Sequence, residues 1–536
     1  MRFAIRGVMM AAIGAATLAA PAQAEWYEAT GRHVVVYAND SADAVRKQAE
    51  QLERFDAAIR LVRGLPDTDL DTSNKLTVYV VANDSAVQRL FGAGGKNIAG
   101  FYDGRASGSV AFTPGRSDRS EGGLDPQIVL FHEYAHHALL GHSELAVPRW
   151  YSEGFAEFMS TTRFDKDVFW IGAPAQHRAY TLLEGQGMSA EKLFATDRRK
   201  LSDSETSELY ARGWLLTHVL ALDRTRAAQF ATYLTLFNQG MPSSEAATKA
   251  FGDLKTLNKE MNKRLSGSSF PAYKLSNDRL PKPEVSLRPL RPGEKAMIAL
   301  RMRSDRGVNR ETAQPILAEA TPIAAKYADD PVVQGWFAEM ALDAGRNDVA
   351  EAAADRALAL DPKSSQALVY KAQVHLRRAS AAHAKDPAVW KEARSWLLKA
   401  NKLDNNDAYA LMLYYSSFGM AHDVPTANAK AALAQAHMLV PQDEALTFAY
   451  GVQSLLDGKT DDARLALRTL AYSPHAPVDN PAARLLAQID AGKTRPRRAR
   501  RGRQQERRRD AGLARGPNRS HRPIPPPPGG GGMPQA

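Results

Sequence analysis

The sequence has 536 residues and contains no cysteine. This absence excludes disulfide bonds, and it excludes thiolates both as metal ligands and as nucleophiles. After the first 24 residues no hydrophobic run approaches the length of a membrane span. Strand-like alternation is scarce beyond residue 312. If the chain binds zinc, histidine and carboxylate side chains must therefore hold it.

The N-terminal segment has the pattern of a secretory signal peptide. Arg2 and Arg6 are followed by an apolar run from Val8 to Ala20, and Ala22–Ala24 form a small-x-small cleavage sequence. The apolar run is too short and too rich in alanine for a membrane anchor. We therefore expect a mature chain that begins at Glu25 and is periplasmic or secreted.

Positive charge is concentrated at the other end. The whole chain has a formal net charge of +11, and the tail 493–536 carries 13 basic and two acidic residues, which is the same excess. Arginine, proline and glycine runs with little apolar content predict disorder in this tail. Its charge suits contact with anionic surfaces, but it has no interleaved aromatic residues for specific nucleic-acid recognition.

The most informative motif is His132-Glu133-Tyr134-Ala135-His136. It lies in an apolar segment, 128–140, that has helical spacing and no proline or glycine. On a helix, His132 and His136 share one face and can hold a single Zn²⁺ ion. Glu133 lies beside them, placed to take a proton from water activated by the metal. The sequence therefore predicts a zinc site with Glu133 as general base.

A zinc site needs a third protein ligand, and two candidates compete. His142 would continue a metzincin-like pattern, but Leu139 stands where that pattern has the glycine at which the helix breaks. Glu153 lies in a second predicted helix that begins near Pro148 and carries Glu157 one turn later. We favour Glu153 because of the conflict at Leu139.

The two segments 132–136 and 150–157, the second reading Trp-Tyr-Ser-Glu-Gly-Phe-Ala-Glu, resemble the bacterial peptidase MA-like gluzincins. The resemblance extends over the order of elements between residues 34 and 265. It implies a zincin-like fold, peptide-bond hydrolysis, and an acid, Glu157, that orients a ligand histidine. Thermolysin-type members have aspartate at the position of Glu157.

Further site residues are predicted on the helix 208–222. A zinc peptidase needs a hydrogen-bond donor for the oxyanion, and Tyr210 is our first choice, with His218 second. The alternative is that both are ordinary core or surface residues. His137 points about a quarter-turn away from His136, and we expect it to be a hydrogen-bonded or exposed histidine rather than a ligand.

Two short strands precede the motif and are expected to pair as a hairpin. By the resemblance, either 100–102 or 110–113 would form the edge of the cleft and bind an extended peptide as an extra strand. An ordinary hairpin is the alternative. Other predicted elements are strands at 33–38, 75–82 and 164–171, and helices at 41–62, 85–91, 227–237 and 243–265.

The character of the sequence changes after a proline-rich stretch, 267–293, which we interpret as part of an interdomain linker. Beyond it, alanine-rich helical patterns with turn signals near 345–347 and stops near 361, 404 and 441 resemble three or four TPR-like units, or a plain helical bundle. The predicted fold class is α+β followed by all-α repeats. The predicted segments are a signal peptide (1–24), a zincin-like metallopeptidase domain (25–266), a linker (267–311), TPR-like repeats (312–492) and the disordered basic tail (493–536).

Two functions are consistent with this organisation. The first is an exported zinc metallopeptidase that acts on peptide or protein substrates, with the TPR-like face recruiting substrate or a protein partner. The second is a non-catalytic adaptor of the cell envelope, in which the repeats do the binding. Because every catalytic residue type is present, the sequence favours the enzyme.

Overall fold

The computed structural model describes residues 25–68, 74–92, 98–117, 124–143, 145–197, 199–267, 269–473 and 476–492. The predicted signal peptide and the predicted disordered tail lie outside these residues. Within the described ranges, the molecule has no helix that is both long enough and apolar enough to cross a membrane. The described residues between Glu25 and Ala487 form one compact unit.

The α/β region is built on a mixed six-stranded sheet. Its strands are β1 (Glu25–Thr30), β2 (Val34–Asp40), β3 (Leu76–Val81), β4 (Phe101–Asp103), β5 (Val110–Pro114) and β9 (Ser286–Pro289). Their order in the sheet is β4-β5-β3-β2-β1-β9. Neighbouring strands β2, β3 and β5 are parallel, and the other pairs are antiparallel. Valine-rich β2 and β3 lie in the middle, as their β-branched side chains favour.

Helices cover this sheet and extend into a lower helical layer. The helices are α1 (Ala42–Arg63), α2 (Asp84–Phe91), α3 (Pro126–Gly141), α4 (Arg149–Ser160), α5 (Ala179–Glu184), α6 (Ala190–Phe194), α7 (Asp203–Leu222), α8 (Ala227–Asn238), α9 (Ser243–Phe251) and α10 (Leu254–Leu265). The long α1 packs on one face of the sheet. Helix α4 packs on both α3 and α7, and these three helices form the layer that carries the motif.

The single helix expected at 243–265 is two helices. Gly252 has a φ of 79°, which an α-helix cannot contain. The next residue, Asp253, then caps α10 by accepting a hydrogen bond from the backbone N–H of Lys255 at 3.0 Å. Gly252 and Asp253 therefore end one helix and begin the next, although the apolar periodicity of the sequence continues across them.

The interpretation of 267–311 as a linker is wrong in structural terms. This segment forms β8 (Tyr273–Ser276), which pairs with β7 (Val168–Ile171), and β9, which pairs with β1. β7 also pairs with the short β6 (Arg163–Phe164), so β6, β7 and β8 form a small second sheet. Proline-rich sequence is compatible with such edge strands, because an edge strand leaves backbone N–H groups unneeded.

The helical repeat region begins earlier than residue 312. Its first helix starts at Pro292, and five successive helix pairs precede a last helix. Each pair packs as an antiparallel hairpin in contact with the next pair. The helices are α11 (Pro292–Asp305), α12 (Ala313–Lys326), α13 (Pro331–Asp343), α14 (Asn347–Leu360), α15 (Ser365–Ala381), α16 (Pro387–Leu403), α17 (Ala408–Met420), α18 (Ala427–Leu439), α19 (Glu444–Leu456), α20 (Thr460–Ala471) and α21 (Pro481–Asp490).

One hydrophobic core joins the sheet to the repeats. Tyr79, Val81 and Phe112 on the sheet pack in the same buried cluster as Met297 and Ile298 of α11. A second, larger core lies on the opposite side, where α1, α3, α4 and α7 meet. The molecule is therefore an α/β region with a mixed sheet followed by a helical repeat region. The two regions share a buried hydrophobic cluster.

Candidate metal centre

Helix α3 brings two imidazoles together. Its start is fixed because the Asp125 carboxylate accepts a hydrogen bond from the backbone N–H of Gln127 at 2.8 Å, and Pro126 occupies the first turn. His132 and His136 then share one face. Their Nε2 atoms are 3.1 Å apart, so both point toward the same position.

Helix α4 supplies the carboxylates and is held close to α3 and α7. In its first turn the backbone N–H of Arg149 donates to the Asp197 carboxylate at 2.7 Å. Farther along, Gly154 lies directly against Gly213 of α7. A Cβ atom on Gly154 would be 2.4 Å from the Gly213 carbonyl oxygen, so the two backbones approach as closely as they do because neither carries a side chain.

Glu153 lies where the third ligand was predicted. Its Oε2 is 3.4 Å from Nε2 of His136 and 3.6 Å from Nε2 of His132. A tetrahedral zinc ion with bonds of about 2.0–2.1 Å separates its donor atoms by about 3.3 Å. The separations observed here are close to that length, and two imidazoles with one carboxylate are a donor set that suits zinc. The residues therefore fit a zinc ion.

Glu157 lies on the outer side of His132. Its Oε1 is 3.4 Å from Nδ1 of that imidazole, while its Oε2 is 2.7 Å from Nε2 of His177 and its Oε1 accepts from Arg178 at 2.5 Å. A carboxylate on the far nitrogen of a ligand histidine fixes the orientation of the ring. Ser152 has a related position on the second imidazole, with its Oγ 3.4 Å from Nδ1 of His136.

His177 and Arg178 are site residues that the sequence analysis missed. They lie in a short 3₁₀ turn, Gln176–Arg178, between β7 and α5. Three residues of irregular backbone have no periodicity from which a face can be read. The one available signal is a histidine beside an arginine shortly after the predicted strand, which is too common a pattern to predict a site.

In this cluster, burial and the neighbouring charged groups shift the pKa values of the side chains in opposite directions. Burial lowers the pKa of His132, but its hydrogen bonds with Glu153 and Glu157 outweigh burial and raise that pKa to about 10. Burial raises the pKa of Glu157, yet the charge of Arg178 and the hydrogen bonds from His132 and His177 hold it well below its usual range. Without a metal, His132 is therefore a cation at neutral pH, and Glu157 is an anion.

Tyr210 of α7 completes this side of the site. Its ring stacks on His132, with centroids 5.8 Å apart and planes inclined by 19°. The guanidinium carbon of Arg178 lies 5.0 Å from the centroid of the same ring. Burial, together with Glu153, Glu133 and other carboxylates, raises the pKa of Tyr210 well above its usual range. The hydroxyl therefore keeps its proton, and a hydrogen bond to the Glu153 carboxylate contributes to this shift.

A cavity of about 350 Å³ opens beside these groups. Its lining includes Glu133, His132, Tyr210 and Gly100. The size is at the lower end of the range for small-ligand sites, about 300–1,000 Å³. The predicted base thus lies in an accessible wall next to the three donor atoms.

The competing third ligand, His142, lies elsewhere. Its Nδ1 donates to the Ala138 carbonyl at 3.0 Å, and its Nε2 lies 3.1 Å from a guanidinium nitrogen of Arg60 on α1. Both ring nitrogens are thus hydrogen-bonded where α3 packs on α1, one to the backbone of α3 and the other to a side chain of α1. Among the described residues, the group that brings three such donor atoms within 4.8 Å of one another is His132, His136 and Glu153.

The second choice for the oxyanion donor, His218, is a core residue. It is fully buried beside Trp214 and Phe270 and donates from Nε2 to the Pro271 carbonyl at 3.0 Å. It is absent from the cavity wall. Burial lowers the pKa of His218 to about 4, so its ring is neutral.

His137 is a buried, hydrogen-bonded histidine, as expected. Nε2 lies 3.2 Å from the Asn74 carbonyl, which can only accept, so Nε2 carries the proton. Burial lowers the pKa of His137 to about 3. The ring is therefore neutral, and Nδ1 accepts a hydrogen bond from the Tyr102 hydroxyl at 3.1 Å.

The expected hairpin is present, and its two strands are not equivalent. β5 lies between β3 and β4, whereas β4 is the last strand of the described sheet and pairs with β5 alone. A Cβ atom on Gly100, just before β4, would be 2.5 Å from Val129 Cγ1 and 3.4 Å from Glu133 Cγ. The chain that enters the edge strand therefore runs against α3 beside the predicted base.

Comparison with known proteins gives a likeness in fold. No protein-family model matches the sequence, and no curated protein matches it. A solved structure of a thermophilic TPR protein from Thermus thermophilus is similar over 37% of this chain and 98% of its own, with 16% identity and a TM-score of 0.30. The MamA RS-1 ArsTM double mutant is similar over 38% of this chain and 97% of its own, with 16% identity and a TM-score of 0.25.

Proposed function

We propose that this protein is a zinc-dependent metallopeptidase of the gluzincin type. One observation carries the proposal: Nε2 of His132, Nε2 of His136 and Oε2 of Glu153 are separated by 3.1, 3.4 and 3.6 Å. These are the distances that a tetrahedral ion would impose on three ligands. The residues come from two helices, α3 and α4, which pack directly on each other.

Each remaining residue has a separate role. When bound, zinc supplies a Lewis acid that acidifies a water molecule and polarises a carbonyl. Glu133 accepts the proton of that water and later delivers it to the leaving amine. Tyr210 donates a hydrogen bond to the oxygen on which negative charge develops. Glu157, itself held by Arg178, keeps the imidazole of His132 in one orientation.

The substrate class that fits this cleft is an extended peptide. The residues that lead into β4, 98–100, line the cavity, and β4 has no strand partner on its outer side among the described residues. An extended chain can add to such an edge through backbone hydrogen bonds. Those backbone hydrogen bonds form with any peptide sequence, so they supply affinity without selecting among substrates. The cavity next to Glu133 supplies the selectivity for particular substrate side chains.

The cellular context is proposed from the sequence. Arg2, Arg6 and the apolar run that follows support export and cleavage before Glu25, and cell-envelope peptides would then be the substrates. The recruitment of a partner by the repeats and the contact of the basic tail with anionic surfaces remain predictions. Neither is needed for hydrolysis.

The substitution Glu133→Gln tests the proposal. It keeps the size of the side chain and removes the base, so we expect the variant to bind one zinc ion and to lose about 10²–10⁴-fold in kcat. Cleavage is measured on a peptide library with added zinc, with and without a chelator. The matched control is Glu184→Gln, an exposed residue at the end of α5, which should leave the rate unchanged.

Two outcomes would contradict the proposal. If Glu133→Gln cleaves as fast as the wild-type chain, Glu133 is not the base. If the wild-type chain binds zinc but cleaves no peptide under any condition, a non-catalytic adaptor is the better description.

A further inference from the structure

The first helices of the repeat pairs form an inner wall. Contacts run in sequence from α11 to α13, from α13 to α15 and from α15 to α17, whereas the second helices of successive pairs make fewer contacts with each other. A stack of helix pairs curves toward the layer whose members lie closer together. The concave side of the repeat region is therefore lined by α11, α13, α15 and α17.

The tip of the β4–β5 hairpin, residues 104–108, lies against this region at two distant places. Arg105 extends a guanidinium nitrogen to within 3.5 Å of the Asp305 carboxylate at the end of α11. The backbone N–H of Ala106 donates to the Asp443 carboxylate at 2.7 Å, and its methyl group packs on the apolar cluster formed by α17, α18 and α19. One short turn of the α/β region thus contacts the first and the later repeats.

Gln442, in the turn between α18 and α19, forms several hydrogen bonds with the α/β region. Its amide nitrogen donates to the Asn74 side-chain oxygen at 2.7 Å and to Ser109 Oγ at 3.2 Å. Its amide oxygen accepts from the Asn74 side chain at 3.2 Å. A reciprocal amide pair has little freedom to rotate, so Gln442 fixes the chain before β3 and the chain at the start of β5 at the same time.

These contacts continue to the metal-site helix. Asn74, which pairs with Gln442, accepts a hydrogen bond from His137 through its backbone carbonyl. Tyr102 of the edge strand donates to the other nitrogen of the same imidazole. His137 directly follows His136. The repeat region, the edge strand and α3 therefore meet in one hydrogen-bonded group of buried or half-buried side chains.

From this juxtaposition we infer that Gln442 is a positioning residue for the cleft. Through Gln442 the repeat region holds the β4–β5 hairpin, so that edge strand β4 has the correct position beside α3 to accept a peptide. The inference rests on the proposed function for its effect on catalysis. Its structural content, that Gln442 holds the hairpin, does not. Part of the repeat region thus serves as a support for the site rather than as a surface for a separate partner.

The substitution Gln442→Ala in the full chain tests this inference. Losing three hydrogen bonds should let the hairpin open more often, so we expect amide hydrogen exchange in peptides that cover 99–112 to be about tenfold faster. Zinc content should not change. In cleavage of a peptide substrate, KM should rise several-fold while kcat stays within about twofold, because the strand binds ground state and transition state alike.

The matched control is Gln435→Ala. Gln435 is a half-buried glutamine on α18 whose amide bonds with Asn405 and Asn406, inside the repeat region and away from the hairpin. It should leave both the exchange of 99–112 and KM unchanged. A general loss of stability in the repeats would instead affect both variants in the same way.

The outcomes separate this inference from the proposed function. Unchanged exchange of 99–112 in Gln442→Ala overturns the inference, whatever the enzyme does. Faster exchange with an unchanged KM shows that the hairpin is held but that its position does not serve the substrate, and this also overturns it. If the wild-type chain proves inactive, the proposed function fails, and the exchange data still decide whether Gln442 holds the hairpin.

Discussion

Two glutamates one turn apart on α4 act on opposite sides of the same imidazole. Glu153 faces Nε2 of His132 and of His136, whereas Glu157 faces Nδ1 of His132. Arg178 holds Glu157 in turn, at 2.5 Å. A ring that is fixed from both sides loses little orientational entropy when it binds a metal. This pre-organisation is the physical advantage of placing both acids on one helix face.

The raised pKa of His132, about 10, predicts proton release when zinc binds. Below that pH the free imidazole holds a proton that zinc must displace, so the apparent zinc affinity should rise with pH by about tenfold per unit up to about pH 10. At pH 7, calorimetry in buffers with different ionisation enthalpies should count about one proton released from this site.

The variant Glu157→Gln provides the control for that measurement. It removes one of the three carboxylates that raise the pKa of His132, so fewer protons should be released at the same pH. Zinc binding with no proton release in the wild-type chain would contradict a protonated His132.

At the scale of elements, the site depends on the contact between α4 and α7. The Gly154–Gly213 approach lets α4 lie deep enough for Glu153 to reach the imidazoles on α3. The same two helices carry Tyr210 and Glu157 on their facing sides. A small displacement of α4 would therefore move a predicted ligand and an orienting acid together.

The substitution Gly154→Ala tests that dependence. Its Cβ atom would lie 2.4 Å from a backbone oxygen, which cannot move away as a flexible side chain could. We expect a loss of about 1–3 kcal/mol in the free energy of unfolding, measured by urea denaturation, together with weaker zinc binding. Gly419→Ala on α17 is the control, because nothing lies within 4 Å of its Cβ position, and it should stabilise the helix by about 0.5–1 kcal/mol. Equal effects of the two substitutions would contradict the account.

Local sequence patterns were sufficient for the elements that carry the motif. The prediction at 128–140 matches α3, and the expected helix start near Pro148 matches α4, because apolar periodicity and helix caps are local signals. They failed for β8 and β9, whose pairing partners are distant in sequence. They also failed for His177 and Arg178, which reach Glu157 only because the chain between β7 and α5 folds back over the site.

At the scale of the whole molecule, the repeats complete the core of the α/β region. Tyr79 shows this most clearly, since its hydroxyl donates to Asp305 of α11 at 2.5 Å while its ring stacks on Phe112 of the sheet. Leu290 and Met297 are buried in the same cluster. The change in sequence character after residue 293 therefore marks a change in architecture and not a boundary between independent folding units.

A truncated chain that ends at residue 291 should for this reason fail to fold. It would expose the apolar face formed by Tyr79, Val81 and Phe112, which α11 covers. We expect aggregation, or binding of a hydrophobic dye without a cooperative unfolding transition, by light scattering and fluorescence. A chain that ends at residue 492 keeps all described elements and should remain soluble. A soluble, cooperatively folded truncation at 291 would contradict this view.

The zinc content of the purified full chain after dialysis, compared with that of two variants, decides whether the predicted ligands hold a metal ion. We expect one zinc ion per wild-type chain, one in His142→Ala, and far less than one in Glu153→Ala. A wild-type chain that cannot be loaded with zinc, or a Glu153→Ala variant that retains the ion while His142→Ala loses it, would contradict this expectation.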